Sequence, residues 1–136
     1  MADPKEILER SATIAVVGIA RTPDKPSGGV PADLQRRGFR IVPVNPKADT
    51  ILGEKAYASL GDVSEPVDVV EVFRPAEEAP EIARQAVAIG AKALWLQQGI
   101  ESDEARKIAE DAGLDFVQDR CMAVESRRHD IHKEPS

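Results

Sequence analysis

A chain of 136 residues with 24 acidic and 18 basic side chains carries a formal net charge of −6, which argues against bulk attraction to nucleic acid or to an anionic membrane. The single cysteine, Cys121, excludes an intrachain disulfide framework and a multi-cysteine metal site and points to a reducing compartment. No apolar run reaches membrane-spanning length and the N-terminus lacks a signal-peptide pattern, so the expected address is the cytoplasm. One domain over residues 1–124 and a polar tail over 125–136 are expected.

Asp3-Pro4 followed by KEILER predicts a short helix with a capping aspartate and proline in its first turn. Thr13 to Val17 reads as a buried strand ending at Gly18, where the missing Cβ would let an anionic group approach the backbone. The following connection, Ile19 to Pro26, exceeds the roughly 2–6 residues usual between a strand and its helix. Pro23 and Pro26 stiffen it, and Arg21 and Lys25 make it positive. A helix from about Gly29 to Arg37 stops at Gly38, and a second strand, Phe39 to Val44, ends in Asn45-Pro46-Lys47.

The third strand, Pro66 to Phe73, carries Asp68 and Glu71, and these charges predict an edge position. Pro75 to Ile89 has Ala79, Ile82, Ala83 and Ala86 at the spacing of one buried helical face. Ala91 to Gln97 is the fourth strand, with Trp95 expected in the core. Ser102 caps a further helix, Leu114 to Gln118 makes the fifth strand, and from Glu125 a frayed helix gives way to the tail. Strands alternating with helices imply an α/β fold: Rossmann-like, three layers (α/β/α), a five-stranded mostly parallel sheet of order 3-2-1-4-5.

In such a sheet the ligand crevice lies at the carboxyl ends of the strands, here expected where the first and fourth strands diverge. Four of the five segments following the strands contain a cation, against the acidic balance of the whole. The dinucleotide fingerprint is broken by Ala20 and Pro23, and the phosphate loop G-x-x-x-x-G-K-[ST] is absent. The second strand ends without the acid that holds a free ribose diol. Asn45 and Lys47 stand there instead and suit a phosphorylated ribose, as in NADP or coenzyme A. Two histidines, His129 and His132, both in the expected tail, cannot furnish a Ser-His-Asp, Cys-His or zinc constellation. Cys121 is either a nucleophile in the crevice or a small buried residue, and Tyr57 either touches a ligand or anchors its loop.

The segments VVGIARTPDKPSGGV, RGFRIVPVNPKADTILGEKAYASL, VDVVEVFRP, AIGAKALWLQQGI and GLDFVQDRC, in that order and spacing, resemble the small stand-alone CoA-binding proteins. These are similar to the N-terminal CoA-binding domain of the succinyl-CoA synthetase alpha subunit. PVNPKADTILGEKAY and WLQQGI are the most specific stretches.

The resemblance implies coenzyme A or an acyl-CoA as ligand, with Gly18, Ile19, Ala20, Arg21 and Ser27 at the pyrophosphate, Lys25 adding charge to that loop, and Val44, Asn45 and Lys47 at the adenosine and its 3′-phosphate. Phe73 and Arg74 would flank the adenine, and Gln97, Gly99 and Ile100 would lie near the pantetheine. Ala20 departs from the serine frequent in stand-alone members, and Gln98 from the synthetase's glutamate. The synthetase's phosphohistidine domain has no counterpart in these residues, so the expectation is binding without catalysis. Gly18→Val is expected to abolish that binding while leaving the fold mostly intact. No catalytic or metal residue, no nucleic acid and no membrane are expected, and the chain is expected as a monomer or weak homodimer with a possible unidentified protein partner. The alternatives are an NADP-linked oxidoreductase and the CoA-binding subunit of an acyl-CoA ligase completed by a partner chain.

Overall fold

The computed structural model describes residues 1–134; the last two residues of the expected tail lie outside that range. In chain order the elements are α1 (Pro4–Arg10), β1 (Thr13–Val17), α2 (Pro26–Arg36), β2 (Arg40–Val44), a two-stranded hairpin β3 (Thr50–Ile51) and β4 (Glu54–Lys55), β5 (Val69–Val72), α3 (Ala79–Ala88), β6 (Ala93–Leu96), α4 (Asp103–Asp111), β7 (Asp115–Val117) and α5 (Met122–Arg128). The five-stranded sheet runs β2-β1-β5-β6-β7 with every pairing parallel, and helices cover both faces.

The class is the α/β Rossmann-like architecture read from the sequence, but the strand order is not. The third strand of the large sheet, β5, lies at its centre beside β1, and the edges are β2 and β7. The two acids that suggested an edge are accommodated in different ways. Asp68 precedes the strand and accepts the backbone N–H groups of Ala12 and Thr13 at 2.8 and 3.0 Å. Desolvation opposes its ionisation, but those two N–H groups and Lys92 outweigh it and hold the carboxyl below its usual range. Glu71 is fully buried, in register between Val16 of β1 and Trp95 of β6, and neither carboxyl oxygen has a hydrogen-bond partner among the described residues. Burial pushes its pKa up to about 8, so at neutral pH it sits in the core as a neutral acid. A strand can carry an acid through the middle of a sheet when the acid gives up its charge.

Alternation along the strands divides the core in two. Ala15, Val42, Val70, Val72, Leu94 and Leu96 point to α3 and α4, whose alanine faces (Ala79, Ala83, Ala86, Ala105, Ala109) bring both helices close to the sheet. Ile14, Val16, Val69 and Trp95 point the other way, against Ile7 and Leu8 of α1, Leu34 of α2 and Met122 of α5. Trp95 is wholly buried, as expected, and its Nε1 donates to the Arg120 carbonyl at 2.9 Å.

Two local expectations are corrected. Helix α2 begins at Pro26, a favoured first-turn proline, ahead of the expected Gly29. Gly28 in that first turn is required by packing, since a Cβ there would lie 1.9 Å from the Thr22 carbonyl oxygen. The segment expected to fray from Glu125 is packed: Glu125, Ser126 and Ile131 are buried, and the Lys133 N–H donates to the Arg37 carbonyl at 2.6 Å. Two of its buried side chains, Glu125 and Ser126, are polar and only Ile131 is apolar, so the loss of apolar residues does not mark the end of the packed structure. Among the described residues no helix is long and apolar enough to cross a membrane.

Glu71 makes stability depend on pH with a definite sign. Its folded-state pKa lies above the ordinary value of 4.5, so its contribution is fully present below about pH 4.5 and is lost as pH rises to about 8. The slope across that window should approach about 1.4 kcal/mol per pH unit. Glu71→Gln, neutral at all pH, should match the wild type near the acid end and exceed it at the alkaline end in urea unfolding. A constant difference between the two proteins across the window would show that Glu71 does not titrate there.

Candidate functional site

The crevice opens at the carboxyl ends of β1 and β5, not between the first and fourth strands, because β5 is the neighbour of β1. From β1 the chain turns to α2 on one face of the sheet, and from β5 to α3 on the other, so the two loops part above the adjacent strands. Gly18 ends one strand and Phe73-Arg74 the other. A groove lies on each side of this point.

The first, of about 490 Å³ on the α3 side, is lined by Gly18, Ile19, Val44, Asn45, Lys47 and Arg74, all expected from the sequence. It also takes in Ser59, Glu78, Ile82 and Gln85, which sequence reasoning missed. Asn45 organises its floor: Nδ2 donates to the Ile19 carbonyl at 2.9 Å, and Oδ1 accepts the Lys47 N–H at 2.7 Å. The Arg21 guanidinium donates to the Lys47 carbonyl, so Arg21 braces this loop and lines neither groove. Arg74 Nε and Nη2 donate to the Glu78 carboxylate at 3.1 and 2.8 Å, and this pairing holds Glu78 below the usual carboxylate range. The i, i+4 spacing of Arg74 and Glu78 was a legible sign of the pair; the place of Ser59 was not, since it depends on how its loop folds back. Among the described residues the Lys47 ammonium has no ion-pair partner.

The second groove, of about 560 Å³ on the α2 side, is lined by Lys25, Ser27, Phe73, Gln97 and Ile100 from the expected set, together with Pro26, Val30, Gln98 and Cys121. Phe73 and Arg74, expected on one base, therefore line different grooves, as successive residues of an extended chain point to opposite faces. Ala20 and Gly99 line neither. The Ala20 N–H donates to the Ser27 carbonyl at 3.0 Å, and the Gly99 N–H to Asp119 Oδ1 at 2.8 Å. Tyr57 pairs its backbone with β2 and packs its ring on the core, which makes it an anchor of its loop. His129 and His132 stand beside Glu125 and Asp130, and among the described residues no group of three or more acidic, histidine or cysteine side chains could hold a metal ion.

A five-stranded parallel sheet with helices on both faces and a groove on each side of its topological switch point is a Rossmann-like α/β fold. The chain belongs to the CoA-binding domain family, whose model matches residues 12–127. It is similar to the uncharacterized protein YneT of Bacillus subtilis, 41% identical over 123 residues, covering 90% of this chain and 91% of that one. A solved structure of the PH1109 protein redesigned for binding superimposes with a TM-score of 0.91 at 34% identity, over 96% of this chain and 92% of that one. The ADP-forming acetate–CoA ligase II of Archaeoglobus fulgidus is 36% identical over 100 residues, which is 72% of this chain but 15% of the ligase.

Gly18 has φ +84°, and a Cβ there would lie 2.7 Å from Arg74 Cδ and 3.1 Å from the Phe73 carbonyl oxygen. The expectation that Gly18→Val would spare the fold is therefore corrected: any side chain meets both a left-handed backbone and the neighbouring loop. Gly18→Ala should lower unfolding free energy by about 1 kcal/mol or more, read from the urea midpoint. An unchanged midpoint would mean that the β1 exit relaxes without cost.

Proposed function

We propose that the chain binds coenzyme A, or an acyl form of it, across the carboxyl ends of β1 and β5, without catalysis of its own. The observation that carries this reading is the pair of grooves meeting at Gly18 and Phe73-Arg74, each with a lysine that has no ion pair among the described residues. Coenzyme A has the same two-part form: an anionic nucleotide and a long neutral arm ending in a thiol. The first groove takes the adenosine and its 3′-phosphate, with Lys47 as the cation and Asn45 holding Lys47's backbone in place. The loop from Gly18 to Ser27, with Lys25, takes the pyrophosphate. The arm then runs into the second groove past Phe73, Gln97 and Ile100. Arg74 is a weaker candidate for the phosphates than its charge suggests, because an anion must compete with Glu78 for it.

The likeness to the acetate–CoA ligase favours a second reading, in which the chain is the CoA-binding part of an acyl-CoA ligase completed by a partner. Acyl-CoA synthesis that appears only when a second chain is added would establish it.

Lys47 provides the direct test. A partly exposed charge-assisted contact to phosphate contributes roughly 1–3 kcal/mol. Lys47→Ala should weaken coenzyme A by about tenfold or more in calorimetry and scarcely change 3′-dephospho-coenzyme A. Equal losses for both ligands would remove Lys47 from the 3′-phosphate. Tighter binding of NADP than of coenzyme A would overturn the functional reading.

A further inference from the structure

We propose that the Arg74–Glu78 ion pair is a latch over Gly18: it closes the backbone at the end of β1, and the pyrophosphate of coenzyme A opens it by replacing Glu78 as the partner of Arg74. This rests on the coenzyme A reading above and adds to it a rule for which anions gain entry.

The latch occupies the space that Gly18 leaves by having no side chain. A Cβ on Gly18 would lie 2.7 Å from Arg74 Cδ and 3.1 Å from Arg74 Cγ. The bare face of the glycine is therefore not open to an anion, because the stem of Arg74 lies against it. Local structure holds the stem there. Pro75 follows Arg74, and a 3₁₀ turn over Ala76–Glu78, closed by the Glu78 N–H to the Pro75 carbonyl at 2.9 Å, brings Glu78 back towards Arg74. The guanidinium meets the carboxylate through two bonds, from Nε at 3.1 Å and from Nη2 at 2.8 Å, and Glu78 is its only ion-pair partner among the described residues. Gly18, Arg74 and Glu78 all line the first groove, so the latch lies inside the site.

The pair is made to be exchanged. Both side chains are 46% exposed, and an ion pair so open to water holds weakly. A phosphate offers the guanidinium the same forked geometry with more charge, whereas a ligand monocarboxylate offers no more than Glu78 already does. Glu78, once released, faces water and needs no new partner. The guanidinium that leaves Glu78 carries its stem off Gly18, and the same phosphate then reaches the backbone at the end of β1. Lys47, which the reading above gives to the 3′-phosphate, has no part in the pair, so the latch answers to the pyrophosphate alone.

The test is calorimetry with coenzyme A and with 3′-dephospho-coenzyme A on the wild type, Glu78→Gln, Arg74→Ala, the double variant, and Glu81→Gln as a control. Glu81 stands on α3, pairs with Arg84 at 3.6 Å and lines neither groove, so its substitution removes the same charge away from the latch. Glu78→Gln keeps the shape of the side chain but frees Arg74. It should tighten both ligands about threefold to fivefold, the contribution of an exposed ion pair. Glu81→Gln should change neither. With Arg74→Ala already in place the gain from Glu78→Gln should vanish, because Glu78 acts only through Arg74. A gain that persists without Arg74, that Glu81→Gln reproduces, or that is confined to the ligand with a 3′-phosphate would overturn this inference alone. So would the absence of any gain in a Glu78→Gln protein that binds coenzyme A. No binding of coenzyme A by the wild type or by any variant would overturn the functional reading together with it.

Discussion

The site exists because β1 has β2 on one side and β5 on the other, all three parallel. Parallel neighbours cannot be joined by tight turns, so each connection must leave the sheet, cross over a helix and return with a right-handed sense. The connection from β1 crosses on the α2 face, whereas that from β5 crosses on the α3 face. Two chains leaving adjacent strand ends in opposite directions cannot fill the space between them. Gly18 at the end of β1 and Phe73-Arg74 at the end of β5 border that space, and the two grooves are its continuation over either face of the sheet.

The two faces differ in chemistry. Beneath the first groove the sheet is aliphatic and covered by helices with small side chains, and polarity is confined to the rim, where Asn45, Lys47, Arg74 and Glu78 stand. Beneath the second groove polar groups are set into the core itself. Glu71 lies two residues before Phe73 on the same face of β5, and Trp95 and Gln97 occupy the corresponding face at β6. The indole donates to the Arg120 carbonyl and the Gln97 amide oxygen accepts the Met122 N–H, which ties the start of α5 to β6. Glu71 is not satisfied, and its neutrality is the cost of its position. Asn45 ties the loops of the first groove together, whereas Trp95 and Gln97 beneath the second tie the sheet to the start of α5.

The chain is acidic, yet cations collect at the strand ends. Not all of them serve equally. Arg74 is paired with Glu78, Arg21 donates to the Lys47 carbonyl and Arg120 to the Asp119 carbonyl, so among the described residues lining the two grooves Lys47 and Lys25 are the cations without an ion pair. A count of basic residues after strands therefore overstates the binding charge. Hydrogen bonding among the loops decides which of them remain free.

Much of this was legible in the chain. The alternation of β-branched runs with alanine-spaced helical faces, the glycine closing β1, and the missing acid after β2 follow from residue types and short spacings, which act locally and fix element type, fold class and the general location of the crevice. Eleven of the fourteen expected binding residues line one or other groove, because the strand ends and the start of α2 gather at one edge of a parallel sheet. Strand order was not local. Asp68 and Glu71 looked alike in the sequence, and only the assembled sheet separates an acid bound by the N–H groups of a neighbouring strand from one buried without charge between Val16 and Trp95. The split of Phe73 from Arg74, the pairing of Gln97 with Met122 and the position of Cys121 arise in the same way. Residues far apart in the chain meet only once the sheet has closed, and the free energy of those meetings is not written in any one segment.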